Sequence, residues 1–449
     1  MQVAQLPLVH RARCLGQQAL RALGLGEGDH VADRFGTGHH GDDAVQPERQ
    51  AAVWRCAILQ RVEQESELEL CLLRTDVERA EYLTLHRFLV DTHRAAAKFT
   101  EANPNVTFEF NGVAHTDAVQ KLELDGPAGV GADIFAAPHD KLGQIVVGQL
   151  ALPLTAGAKA ELDGKFMPAA QAAVTYDGVS YGYPTAIETY ALFYNKDLIP
   201  EAPKTWDEVI EFCKGYNDAA SNKFGIVWEV SAPYYNYIFL SAYGADLFGP
   251  EGTDQAKHDI NSENSIKSMT YFQSLREALL PVAAEDLTGS FCSGAFSETK
   301  SAAMYITGPW SIDGVVTAGV NLGIAPIPML PETETPPASF SGVRMMVVSA
   351  FTDHPEEAKA FAEFLLTPEM QQLRSDVTST ISPHTGVVSA NPYFAGIMEQ
   401  ANYAKPMPSI PAMDGYWSSM GPAFNNIWNG NDVKTELDAA AMVVESIGQ

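Results

Sequence analysis

Lysine is missing from the first 97 residues of this chain, which carry 11 arginines instead. Residues 98–449 reverse the balance, with 15 lysines and 3 arginines. Cysteine is scarce: five residues, and no Cys-x-x-Cys pair. That gives no sign of a disulfide framework or of a zinc site. No run approaches the ~20 consecutive apolar residues of a membrane-spanning helix. Positive charge is in short supply, with 29 Lys and Arg against 56 Asp and Glu and a net charge of -27. Such a surface disfavours nucleic acid and anionic membranes, and it suits a neutral or cationic ligand. A P-loop and a His-Glu-x-x-His string are absent as well, so neither phosphate cradling nor zinc-protease chemistry is marked.

The switch from arginine to lysine divides the chain near residue 97. Six of the 11 histidines and three of the five cysteines, Cys14, Cys56 and Cys71, precede it. This early stretch has neither sustained helical periodicity nor clean alternation. The basic start, apolar run and small-residue cleavage site of a signal peptide are also missing. Two readings of residues 1–94 stand side by side: a separate or disordered extension, or a stretch translated in a shifted frame. A metal site built from His139 with Asp140 offers too few ligands, and one from His39–His40 with Asp42–Asp43 lies in this atypical stretch. Neither a metal nor another cofactor is expected.

After the break the chain alternates helix and strand, which predicts an α/β fold with largely parallel sheets. Residues 95–103 end an amphipathic helix, closed by Asn103-Pro104. Residues 106–110 alternate like a strand. Residues 115–124 look helical, 132–136 read as a short buried strand, and 184–194 form an extended run. Thr205 with Glu208 reads as a capping box. Further helices are expected over 261–280, 355–366 and 432–447, with a Pro/Thr/Glu-rich connector over 331–341.

Two aromatic features stand out. Ile306-Thr-Gly-Pro-Trp310 places an indole directly after a forced turn, and Tyr416-Trp417 lies downstream. Flat rings on rigid turns suit the apolar face of a pyranose, although most tryptophans are core residues. Six stretches then match one family in order: Asp133–Gly143, Tyr183–Leu198, Pro203–Glu208, Ala303–Trp310, Phe340–Val343 and Met407–Trp417. On these the chain, from about residue 95 to its end, resembles maltose/maltodextrin-binding proteins, the extracellular sugar-binding components of ABC importers.

The resemblance implies a two-lobed periplasmic-binding-protein fold of the α/β class, with a hinge and a sugar cleft between the lobes. Three chain crossings would fall near 186–191, 340–346 and 366–370. One lobe would be 95–186 plus 343–368, the other 187–341 plus 369–449. Asp140 and Glu188 align with carboxylates that accept from sugar hydroxyls, and Lys141 with a basic residue beside them. Trp310 and Trp417 align with stacking rings, and Tyr234 with a further aromatic contact. Arg344, after Phe-Ser-Gly-Val, is a candidate to reach into the cleft. His139 has a structural reading as strong as a binding one. Ala137 and Ala232 replace a ring and an acid of the family pattern, which points to a longer or different gluco-oligosaccharide than maltose. Trp228, Tyr235 and Tyr237 could compensate or belong to the core.

The expected partners are an oligosaccharide and the membrane subunits of an ABC transporter, with the chain a monomer. No nucleic-acid partner is expected, and the location is extracytoplasmic, in the periplasm or as a cell-surface lipoprotein. No catalytic residue is expected. The rival readings are a solute-binding protein for another oligosaccharide or a polyamine, and a glycoside hydrolase. The last needs two carboxylates ~5–9.5 Å apart across the bond, and nothing marks Asp140 and Glu188 as such a pair.

Overall fold

Residues 91–447 are described by the structure, a computed structural model. All of them lie within the unit Arg74–Gln449. The atypical segment 1–94 falls outside the described residues except for 91–94, and so does the His39–His40 cluster.

The strands in chain order are β1 (Ile134–Pro138), β2 (Thr175–Tyr176), β3 (Val179–Ser180), β4 (Gly182–Thr189), β5 (Ala191–Asn195), β6 (Phe224–Val227), β7 (Ala302–Thr307), β8 (Leu322–Ala325), β9 (Phe340–Val348) and β10 (Lys405–Pro406). The first sheet is built on β9. β4 runs antiparallel along it, from Gly182 opposite Val347 to Thr189 opposite Ser341. A strand residue has only two edges, so β1 and β10 must share the other. β1 is antiparallel there against Arg344–Val348. β10 is parallel against Phe340 and Ser341. The second sheet has the order β6-β7-β5-β8.

The α/β class holds, but the expectation of largely parallel sheets does not. Among the described strands only β6–β7 and β9–β10 pair in parallel. Parallel pairing needs a crossover connection, usually a helix. β4 and β5 instead follow one another across a single residue, Tyr190, and pair in different sheets. The strand expected over 106–110 is corrected too. The segment is irregular and has no ladder partner among the described residues. Its alternation survives in the packing: Val106, Phe108 and Phe110 lie against a small cluster of Ala95, Phe99, Phe361 and Met370.

The helices form close to the expected places. Trp206–Tyr216 starts at Thr205, whose hydroxyl accepts the Glu208 N–H at 3.2 Å. The Glu208 carboxylate reaches back one residue further than a capping box requires, to Lys204 N–H at 2.6 Å. Val433–Ser446 is capped by Asp432. No helix among the described residues is long and apolar enough to cross a membrane.

The buried side chains fall into two large clusters. One gathers Ala118–Tyr183 with Val343–Leu366 around the first sheet. The other runs from Tyr190 to Val444 around the second, and it takes Phe340 from the start of β9. Strands β4–β5 and β9 therefore pass from one core to the other. The helix Pro368–Thr378 stays with the first sheet: Gln371 donates to the Pro184 carbonyl at 3.1 Å. Beyond it, Met167 N–H donates to Pro383 O and Thr385 N–H to Lys165 O.

Candidate functional site

The carboxyl ends of β1, β4 and β7, the middle of β9, and two helix starts bring the expected residues near one another. β1 runs into a 3-10 turn, His139–Lys141, which presents Asp140. Asp140 is buried, and its Oδ2 accepts the Trp417 indole N–H at 3.0 Å. Burial raises its pKa to about 6, against the lowering pull of Lys141 and the indole bond. Lys141 itself is ion-paired with Asp414.

Glu188 on β4 stands beside Arg344 on β9. Arg344 Nε donates to Glu188 Oε2 at 2.9 Å. The other carboxylate oxygen, Oε1, is buried with no hydrogen-bond partner in the protein. A buried acceptor left unsatisfied costs ~1–3 kcal/mol, so this oxygen invites a donor from outside the chain. Tyr234 is the next neighbour. Its hydroxyl pKa is raised mainly by burial and then by Glu188, with Asp140 and Arg344 also in electrostatic reach.

Tyr234 is the first aromatic of the helix Pro233–Leu240, which Pro233 opens without losing a needed donor. Its ring centre is 6.2 Å from Trp310 and 6.3 Å from Phe340. Phe340 lies 5.8 Å from Trp417. Trp310 follows the Gly308-Pro309 turn at the end of β7, bracketed by the 2.8 Å contact of the Thr307 and Ser311 hydroxyls. A Cβ on Gly308 would sit 2.2 Å from the indole, so only glycine lets the ring fold back over the turn. Trp417 rides on the helix Met413–Trp428, fixed where Tyr416 donates to Pro233 O at 3.0 Å. Both tryptophans are half-buried, unlike Trp206, Trp228 and Trp428, which are fully enclosed.

Of the seven expected residues, Asp140 bonds to Trp417, Trp310, Tyr234 and Trp417 are joined through ring contacts by way of Phe340, Lys141 pairs with Asp414, and the Glu188–Arg344 pair stands within electrostatic reach of Tyr234. Trp228, Tyr235 and Tyr237 pack in the core of the second sheet. His139 takes the structural role, with both ring nitrogens engaged by backbone groups. Sequence reasoning missed Phe340, the ring between Tyr234 and Trp417, and Asp414, the partner of Lys141. Asp414 stands three residues before Trp417 on one helix, but nothing local in the sequence pairs it with Lys141.

One further string has the spacing of a hydrolase nucleophile elbow, Gly178-Val-Ser-Tyr-Gly182. The structure removes that chemistry. Ser180 is buried in the β2–β3 hairpin with its hydroxyl on Thr175 at 2.7 Å, and no strand-to-helix turn presents it.

A family model described as bacterial extracellular solute-binding protein matches residues 94–398. A galactooligosaccharide-binding protein of Bacillus subtilis (strain 168) is 32% identical over 337 residues, 72% of this chain and 78% of that one. A maltooligosaccharide ABC transporter solute-binding lipoprotein of Streptococcus pneumoniae (strain ATCC BAA-255 / R6) is 30% identical, covering 74% of this chain and 80% of its own. The crystal structure of a cyclo/maltodextrin-binding protein with maltotetraose superposes with a TM-score of 0.69 at 32% identity, over 80% of this chain and 93% of that one.

Proposed function

The chain belongs to the bacterial extracellular solute-binding protein family, and on that premise we propose that it captures maltodextrin-type oligosaccharides in a cleft between two lobes and delivers them to an ABC importer. Asp140, Lys141, Glu188, Tyr234, Trp310, Arg344 and Trp417 would line that cleft. The observation that carries the reading is Glu188. Its buried, unpartnered Oε1 lies within electrostatic reach of Tyr234, a half-buried ring that contacts Trp310, the pairing of acceptor and stacking face that a pyranose requires.

The lobes would be cored by the two large clusters. The first crossing runs through Tyr190 and the second through the start of β9. We draw the third between 379 and 385 rather than at 366–370, since Gln371 and Thr385 bond to the first sheet's surroundings while Ile381 packs in the second core. Sugar contacting both lobes would favour their closed arrangement by its differential contacts. Binding is reversible and non-covalent, with no catalytic step. The chain would act as a monomer outside the cytoplasm, against the transporter's membrane subunits.

A galactooligosaccharide binder among the relatives supports a second reading, another oligosaccharide in the same cleft. A thermal-shift titration of the full chain separates the two, using maltotriose, longer maltodextrins, galactooligosaccharides, and spermidine as control. A ligand that binds only the folded state raises the melting temperature. A rise with maltodextrins alone supports the proposal. A rise with galactooligosaccharides alone replaces it, and a rise with spermidine alone overturns the sugar reading.

A further inference from the structure

His139 is a buried titratable side chain that the binding step leaves unused. β1 covers Arg344–Val348 on one edge of β9 and β10 covers Phe340–Ser341, so Gly342 and Val343 on that edge face no strand. The imidazole fills this gap. Its Nδ1 accepts the Val343 N–H at 3.1 Å, and its Nε2 lies 3.0 Å from the Met407 carbonyl oxygen. The first bond needs a bare Nδ1, so the proton resides on Nε2 and is donated to Met407. One neutral tautomer satisfies both bonds. Burial lowers the pKa to about 4, which keeps the ring in that form.

The contacts continue outward from this residue. Asp140, next in the chain, accepts from Trp417. Gly143 N–H donates to Ser409 O at 2.9 Å, and a Cβ on Gly143 would lie 2.2 Å from that oxygen. The turn after β1 is therefore laid directly on the segment 407–417. We propose that His139 is a positioning residue: its neutral imidazole pins the turn bearing Asp140 and Lys141 to the segment bearing Trp417, fixing the carboxylate relative to the ring. This rests on the reading of the cluster as the oligosaccharide site.

The test uses the full chain with His139→Ala and His139→Gln, the latter retaining an N–H donor and an acceptor oxygen. Two quantities are read: the Kd for maltotriose by calorimetry, and acrylamide quenching of Trp417 without ligand, isolated by difference from Trp417→Phe in each background. His139→Ala is expected to weaken binding roughly ten-fold, because losing the bonds to both Val343 N–H and Met407 O lets the Asp140 turn shift relative to Trp417. It should also make Trp417 more quenchable, and His139→Gln should recover most of both. A lowered melting temperature with unchanged Kd and quenching would mean that His139 only stabilises the fold, and the proposal falls. If His139→Ala does not melt cooperatively, His139→Leu fills the volume without either bond and takes its place. If the unmodified chain binds no maltotriose, the functional reading fails while the quenching comparison still decides the role of His139.

Discussion

The ends and middles of β1, β4 and β9 bring Asp140, Lys141, Glu188 and Arg344 to the cluster, whereas β7 and the helices Pro233–Leu240 and Met413–Trp428 bring Trp310, Tyr234 and Trp417. One side is charge and the other is ring. The charges are held by directional partners, Arg344 on Glu188 and Asp414 on Lys141. The rings are held by packing and by turns, with Gly308 leaving room for Trp310. Removing a carboxylate from water is costly unless donors are already oriented toward it. A ring gains from any apolar face that covers it. The first side should therefore set which hydroxyls are accepted, and the second should set how tightly the ligand is held.

Removing one ring should have the largest effect on affinity. Trp310→Ala is expected to cost about 3 kcal/mol, roughly 100-fold in Kd for maltotriose by calorimetry, as aromatic anchors do. Its melting temperature should change little, since the side chain is half-buried on a turn. Equal affinity with and without the indole would invert the division of labour. Glu188→Gln comes next, at about 2 kcal/mol, because it weakens the acceptor and loosens the bond to Arg344. Its signature should be selectivity: the loss should be smaller for sugars that lack one hydroxyl. A uniform loss across such sugars would place the discrimination elsewhere.

The ring side was more legible in the sequence than the charge side. Gly308-Pro309 announces a turn, and a tryptophan after it is visible without any structure. The caps at Thr205 and Asp432 were readable for the same reason, since caps and turns are decided by a few neighbouring residues. Asp140 and Glu188 were found only through the family resemblance, because an acid looks the same on a solvated surface and in a cleft. The ion pair of Lys141 with Asp414 spans 273 residues, and no local pattern encodes it. Strand direction was misread for a related reason. Alternation fixes which side chains face inward, as Val106, Phe108 and Phe110 demonstrate, but pairing sense depends on the path of the chain between sheets. The role of His139 depends on a two-residue gap in a ladder, which exists only once β1 and β10 share an edge.

The charge side also carries the pH dependence, through two neighbours with opposite signs. His139 has its pKa lowered to about 4 by burial. Between pH 6.5 and 4 the unfolded chain binds a proton there that the folded chain refuses, so stability is lost as pH falls. Asp140 has its pKa raised to about 6. Between pH 6 and 3.8 the folded chain holds a proton that the unfolded chain lacks, so stability is gained as pH falls. Each shift is worth about 3 kcal/mol, and the pair should leave a net change below about 1 kcal/mol across this window. Asp140→Asn removes the compensating half, so its melting temperature should fall steadily below pH 6 relative to the unmodified chain. Parallel melting curves for the two would mean that the pair does not compensate.

The smallest effect should come from the most conspicuous charge pair. Lys141 and Asp414 link the turn after β1 to the helix of Trp417, but both side chains are partly open to water, at 21% and 36%. Exposed pairs of this kind are worth about 0–1 kcal/mol and are screened by salt. Lys141→Met should therefore change maltotriose affinity by less than about five-fold, and 0.5 M salt should erase most of that difference. A larger loss that salt leaves untouched would mean the ammonium donates directly to the sugar. Lys141 would then join Glu188 among the residues that choose the ligand, and the charge side would supply donors as well as acceptors.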